Sequence, residues 1–409
     1  MKIWIKYLIG SALGILLAIA APTDSELFNS AIEFASKLAI QFGRYSLYPV
    51  LFFGFTIGIY KLRETKTLLK FGISIFAFII FTAVLASILG LISVTIANPS
   101  RIPIFIEETQ NIEPLGIKEA FLTLFPSSSF AAFIDGLYIL PLCIFAGFAG
   151  AGCAVDKTIS KPVLTLFDSL SRIAYSVTAF FVDMLYIGLI ALSVNWSVKF
   201  STLLSAKFFN GLIILLVIDF FIIALVISPL IIKIFCTDTN PYKILYASIA
   251  PIFAAFFSGD TNLTITVLLR HINESLGIRR RITSVSVPIF SVFGRAGSSM
   301  VVTISFVMIL RSYSSLGISS GDMVWLVGIS SLFSMLLGRF PIVGAYASLI
   351  AICGIYGDGF ESGFLILKPA VFFIGSIAAA TDTVIAAAGT YIIGYRSKME
   401  STRELRYFI

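Results

Sequence analysis

The stretch "YKILYASIAPIFAAFFSGDTNLTITVLLRHI", residues 242–272, is an apolar run broken at its centre by "SGDTN", residues 258–262. Each arm is too short to cross a hydrocarbon core of about 30 Å, which takes roughly 20 helical residues. Polar, irregular backbone at membrane depth is tolerated only where protein buries it or where it lines a cavity. The economical reading is a re-entrant hairpin with its tip near Asp260. That reading presupposes a membrane, and the composition supplies one. Of 409 residues, 58% are hydrophobic and 12% charged, against roughly 25% charged in an average soluble chain, and mean hydropathy is +0.99. The sequence therefore predicts an all-α polytopic membrane protein with room for about eight spans and no long polar segment for a soluble domain.

Composition also removes several function classes. The net charge of +7 does not call for nucleic acid, because excess Lys and Arg serve orientation in polytopic proteins. Cys143, Cys153, Cys236 and Cys353 show no CxxC spacing, so neither a zinc site nor a disulfide framework is indicated. His271 is the only histidine, which excludes a site built on several imidazoles. No nucleophile–base pair, metal cluster or phosphate loop stands out, so an enzyme is not expected. The start, "MKIWIKYLIGSALGILLAIAAP", imitates a signal peptide, but its apolar stretch is nearer to a full span and is read as one.

Apolar segments at 3–21, 44–60, 68–97, 120–153, 170–195 and 208–235 are each long enough to span. The basic stretches 61–70, 275–282 and the C-terminal tail belong to the cytoplasm, and the acidic 105–114 and 357–362 to the other side. Both termini are then cytoplasmic. From 321 to 356 the broken run recurs, interrupted by "GRFPIVGA" at 338–345, whose proline cannot continue a helix. Between the two broken runs lies 285–310, carrying "GRAGSS" at 294–299, and after them comes 364–395 with Asp382 at its centre. Two interrupted segments entering from opposite faces, each paired with a span polar at mid-depth, form the inverted-repeat pattern of a secondary transporter.

Several strings, in order, resemble the dicarboxylate/amino acid:cation symporter family of glutamate and aspartate transporters. They are "FLTLFPSSSFAAFIDGLYILPLCIFAGFAGAG" at 121–152, "LLRHINESLGIRRRITSVSVPIFSVFG" at 268–294 and "FPIVGAYASLIAICGIYG" at 340–357, which keeps Pro341 and Gly344. The resemblance covers nearly the whole chain. It implies eight transmembrane helices plus two re-entrant helical hairpins, in an elevator-type fold assembled as a homotrimer. It implies scaffold helices in 1–66 and 118–200. A transport domain would comprise 67–97 and 201–398, including hairpins at 243–275 and 321–356, and 399–409 would be a cytoplasmic tail. The substrate would lie between the hairpin tips, near Ser258, Asp260, Thr261, Asn262, Arg339, Pro341 and Gly344.

The family's ion chemistry does not carry over. Its Ser-Ser-Ser-Gly-Thr-Leu-Pro tip corresponds here to Ser258, Gly259, Asp260, Thr261, Asn262, Leu263 and Thr264, which adds a negative charge. Its sodium-binding Asn-Met-Asp-Gly-Thr falls on Gly294, Arg295, Ala296, Gly297 and Ser298. In the last helix, the substrate-binding aspartate and arginine and the two following sodium ligands fall on Ala379, Asp382, Ala386 and Thr390. Sodium wants oxygen ligands, whereas arginine offers only donors. The sodium-ligand positions are thus degenerate at Gly294, Ala296, Ala386 and Thr390.

A charge in a bilayer costs at least about 2.5–3.5 kcal/mol, so Asp260, Asp382, Arg295 and Arg339 are expected to compensate one another. In one reading they are a fixed ion-pair network. In the other, Arg295 or Arg339 takes a substrate carboxylate, since the guanidinium fork meets it with two hydrogen bonds. Asp382 or Asp260, with Thr383 beside it, then takes an amino group or a proton. The expected function is transport of a small carboxylate-bearing metabolite, an amino acid or dicarboxylate. Sodium coupling is doubtful, and proton coupling or exchange stands in its place. The alternatives are a channel or leak pathway, and a transport-inactive sensor or scaffold.

Overall fold

The computed structural model describes residues 2–20, 25–103, 125–126, 128–134, 138–313, 319–336, 340, 342–357, 359–401 and 403–409. Among them the chain is helical throughout, with one isolated β-bridge between Ile278 and Glu400. The first helices are α1 (Ile3–Ala20), α2 (Glu26–Arg44), α3 (Leu47–Glu64) and α4 (Leu68–Ala97). After α5 (Leu140–Cys153) and α6 (Lys157–Ser205) comes α7 (Lys207–Phe235), which contains a π turn at Ile223–Ile227.

Six helices among the described residues are long and apolar enough to cross a membrane, or seven if one bent pair counts as a span. That pair is α8 (Pro241–Ala247) and α9 (Ile249–Ser258), bent by 49°. Burial separates the peripheral helices from the central ones. In the most apolar window of α1 only 33% of residues are buried, whereas the window within Arg280–Tyr313 is 94% buried. The latter is therefore the axis of the molecule.

The broken run of 242–272 folds as a helical hairpin: α9 ends at Ser258, Gly259 takes a left-handed turn (φ +60°), and α10 (Thr261–Glu274) packs back on α9. Glycine suits that turn because it alone adopts positive φ without a Cβ clash. The second broken run gives α13 (Ser320–Leu336) and α14 (Gly344–Tyr356), also packed on each other. Its expected tip residues Arg339 and Pro341 lie outside the described residues. The axis is itself interrupted into α11 (Arg280–Phe293) and α12 (Ala296–Tyr313). Beside it runs α15 (Val371–Arg396), in which every residue over 376–394 is buried.

Three features depart from the sequence reading. The segment expected to span at 170–195 is part of a 49-residue helix, α6, about 74 Å long at 1.5 Å per residue. Its polar N-terminal flank continues the helix because Asp156 caps it, accepting from Thr158 N and Ile159 N. Helix α2 lies where no apolar run marked an element, since its apolar residues occupy one face only. The described residues of the segment read as a tail, 399–401 and 403–409, are docked: Arg279 N donates to Met399 O at 3.0 Å, Ser401 N to Gly277 O at 3.0 Å, and Phe408 stacks on Tyr246.

Candidate functional site

The interruption of the axis decides the site. At Gly294 the α11 ladder closes with Gly294 N donating to Phe290 O (2.7 Å), and α12 restarts at Ala296. The first N–H groups of a helix have no intrahelical acceptor, and here a carboxylate from α15 supplies one. Asp382 Oδ1 accepts from Gly297 N at 2.7 Å and Ser298 N at 3.3 Å, and Oδ2 accepts from Ser298 Oγ at 2.9 Å. A carboxylate also complements the positive end of the helix dipole. So close an approach requires Gly297, where a Cβ would stand 2.5 Å from Thr381 Cβ and 2.6 Å from Ala378 O.

Arg295 occupies the break itself. Its Nη1 lies 3.9 Å from Asp382 Oδ2, and its Nη2 donates to Thr261 Oγ1 at 3.0 Å. Both Arg295 and Asp382 are 5% exposed. One guanidinium thus links the break in the axis, the middle of α15 and the first hairpin tip.

Asp260 has in addition a cationic partner that the sequence reading did not name. Its Oδ1 caps α10, accepting from Asn262 N at 2.9 Å, and its Oδ2 pairs with Arg44 Nε at 2.5 Å. The physical reason is α2, which carries Arg44 at its C-terminal end up to the tip. The closest cation to Asp260 is therefore Arg44, and the closest to Asp382 is Arg295. Ser258 Oγ accepts from Asp260 N at 3.1 Å and so braces the same turn. Thr383 spends its hydroxyl on Ala379 O (2.7 Å) in its own helix. Gly344 is buried at the start of α14. Ala296 and Ala386 are buried and offer no side-chain oxygen, and Thr390 Oγ1 is buried without a hydrogen-bond partner among the described residues.

Of the family's sodium-ligand positions Gly294, Ala296, Ala386 and Thr390, Thr390 alone carries a side-chain oxygen. Hard cations take oxygen ligands, yet a guanidinium stands in the break, and both Asp382 oxygens are engaged by α12.

Three features escaped the sequence. Arg44 is one. Another is an aromatic wall beside the first tip, where Trp196 Nε1 donates to Ser376 Oγ at 3.0 Å and the indole ring lies 4.8 Å from the rings of both Phe200 and Phe256. The third is a buried hydroxyl triangle joining α4, α12 and α13, with Ser87 2.7 Å from Thr303 and 2.8 Å from Ser330. Away from the site, Asp183 pairs with Arg270 (2.9 Å) and Lys6 (3.7 Å), and Asp219 accepts from Ser93 at 2.5 Å.

The family model described as the sodium:dicarboxylate symporter family matches residues 3–395. Among similar proteins is the serine/threonine transporter SstT of Bifidobacterium adolescentis, 23% identical over 391 residues, covering 94% of this chain and 86% of that protein. Another is C4-dicarboxylate transport protein 3 of Ralstonia nicotianae, 22% identical over 96% of this chain and 88% of that protein. Neutral amino acid transporter B(0) of Oryctolagus cuniculus is 21% identical over 56% of this chain and 47% of its own length.

Proposed function

Because the chain belongs to the sodium:dicarboxylate symporter family, and is thus a multi-pass membrane transporter of the dicarboxylate and amino acid class rather than an enzyme, we propose that it moves a small carboxylate-bearing metabolite through a site centred on Arg295, without sodium. The observation that carries this reading is the guanidinium held where the axis break, the first hairpin tip and the middle of α15 meet, 3.0 Å from Thr261 Oγ1 and 3.9 Å from Asp382. Arginine there presents a planar fork to a carboxylate. Asp382 is the positioning residue: it holds the α12 N-terminus and orients Arg295. Asp260, being compensated by Arg44, does not repel an anion as a bare acid would, so a dicarboxylate and an amino acid both remain compatible with the tip.

We assign eight transmembrane helices plus two re-entrant hairpins, α9–α10 and α13–α14, with both termini in the cytoplasm of a cell membrane and the chain working as a homotrimer. Scaffold helices over 1–66 and 118–200 and a transport domain over 67–97 and 201–398 then slide past each other in an elevator cycle. The boundary between them includes a close packing of α3 on α11, where a Cβ at Gly58 would meet Val285 Cγ2 at 2.5 Å. With sodium ligands missing, coupling falls to protons or exchange, and Asp382 and Asp260 are the acids placed to carry a proton.

The test is a thermal-shift panel of amino acids and C4 dicarboxylates on purified protein, followed by uptake of the hit into proteoliposomes. Arg295→Lys, which keeps the charge but loses the fork, is expected to abolish saturable uptake. A hit carried equally well by Arg295→Lys and Arg295→Gln contradicts the assignment.

A second reading has one specific observation behind it, the engagement of both Asp382 oxygens by α12. It makes the Arg295–Asp382 pair a structural joint in a transport-inactive relative. Absence of countertransport for every hit of the panel would support it.

A further inference from the structure

On the basic end of the bundle, which we assign to the cytoplasm, α3, α6 and the turn leading into α11 enclose a cleft of about 610 Å³. Lys61 and Arg172 line one side of it, and Arg279, Arg280 and Arg281 the other. Its two carboxylates are already taken: Asp168 binds Arg172 at 3.0 Å and Lys61 at 3.8 Å, and Glu64 binds Lys157 at 3.1 Å. Among the described residues no carboxylate lies within ion-pair distance of any of the three consecutive arginines.

What they do contact is neutral. The Arg280 guanidinium lies 3.9 Å from the centre of the Tyr175 ring, a stacking that fixes its plane. Arg281 reaches the Met399 sulfur, and its Nε is buried without a hydrogen-bond partner. Arg279 sits at the N-cap of α11 and no side chain caps that helix, so the positive end of its dipole adds to the field. A general excess of Lys and Arg on the cytoplasmic side accounts for the sign of this surface. It does not account for three neighbouring arginines, mutually repelling and unpaired, converging on one cleft.

We propose that this cleft binds a multiply charged phosphate group, carried either by a lipid headgroup or by a soluble phosphate compound. Guanidinium forks match phosphate oxygens bidentately, and a cleft of about 610 Å³ has room for more than a single orthophosphate. A ligand spanning it ties α3 and α6 to α11, across the boundary between the two groups of helices proposed to slide. It favours the arrangement in which they are close, to the extent that it binds that arrangement better. Phosphate occupancy therefore slows transport without touching the Arg295 site.

The experiment uses full-length protein in nanodiscs of zwitterionic lipid and has two arms. In the first, inorganic tripolyphosphate is titrated calorimetrically. In the second, phosphatidic acid is doped into the nanodiscs and its retention is measured by native mass spectrometry. Saturable binding in the first arm identifies a soluble source, and in the second a lipid source. In either, Arg279→Gln/Arg280→Gln/Arg281→Gln should weaken binding about tenfold or more, the effect of about 1.4 kcal/mol. Lys61→Gln/Arg172→Gln, altering only the opposite wall, should weaken it as well and guards against misfolding of the triple variant. Absence of saturable binding in both arms, or equal binding by folded variants, overturns the proposal.

Discussion

Asp382→Asn is the substitution whose consequence the geometry fixes best. The aspartate makes three hydrogen bonds into the start of α12 and stands 3.9 Å from Arg295. Asparagine keeps one acceptor oxygen, so the bonds from Gly297 N and Ser298 N survive without their charge. Its amide nitrogen cannot accept from Ser298 Oγ, so that hydroxyl turns to accept from the amide instead, and replacing a bond to a charged group by a neutral one costs about 1 kcal/mol. The substitution also strips a counter-charge from a buried guanidinium, for which breaking a buried pair costs about 3–5 kcal/mol. These contributions overlap, because the same carboxylate makes both. A net loss of about 3–5 kcal/mol is therefore expected, against about 1 kcal/mol for a typical substitution. Reversible unfolding of the purified protein should be measured for Asp382→Asn, Arg295→Met and the double variant. The double variant should cost less than the sum of the singles by more than about 1 kcal/mol, as coupled neighbours do. If Asp382→Asn unfolds like the wild type, or the two substitutions are additive, the carboxylate does not hold the axis together and the reasoning fails.

Arg44→Met should leave Asp260 buried at 0% exposure without its partner, lowering stability by about 3–5 kcal/mol. Adding Asp260→Asn should recover part of that loss, since the asparagine still caps α10; both effects are read from unfolding midpoints. Gly297→Ala should drive α12 off α15, because the new methyl would meet Thr381 Cβ at 2.5 Å. A cost of about 1–3 kcal/mol is expected for such overpacking, with a matching fall in uptake through the displaced Arg295. Trp196→Phe keeps the aromatic wall but removes the bond to Ser376 Oγ, so it should cost about 1 kcal/mol and alter the tip's ligand-induced thermal shift more than its basal stability.

The broken runs at 242–272 and 321–356 were legible because lipid leaves little choice: an apolar segment interrupted by "SGDTN" has to turn back or be buried. The cap at Asp260 could also have been read, since an aspartate two residues before an apolar helical run is a start signal. Its partner could not. Arg44 is 216 positions away, and it stands at the end of an amphipathic helix whose polar face hid it from a search for apolar runs. The long α6 escaped for the same reason, its flanks being polar yet helix-forming. Asp382 shows a different limit. The sequence placed it in a buried helix opposite Arg295, but whether its oxygens face a ligand or the N–H groups of α12 depends on where α11 ends, and a boundary shift of one residue changes the answer. The docking of 399–409 rests on backbone bonds to 277–279, which no side-chain pattern announces.

The claim that most needs testing is that this member of a sodium-coupled family transports without sodium. Initial rates of uptake of the identified substrate should be measured in proteoliposomes, with external sodium replaced by potassium and the proton gradient and membrane potential held constant. The arrangement of Arg295 in the break, with both Asp382 oxygens committed to α12, predicts that the rate does not change. A rate that collapses on removing sodium and returns in a saturable manner on restoring it would contradict the account.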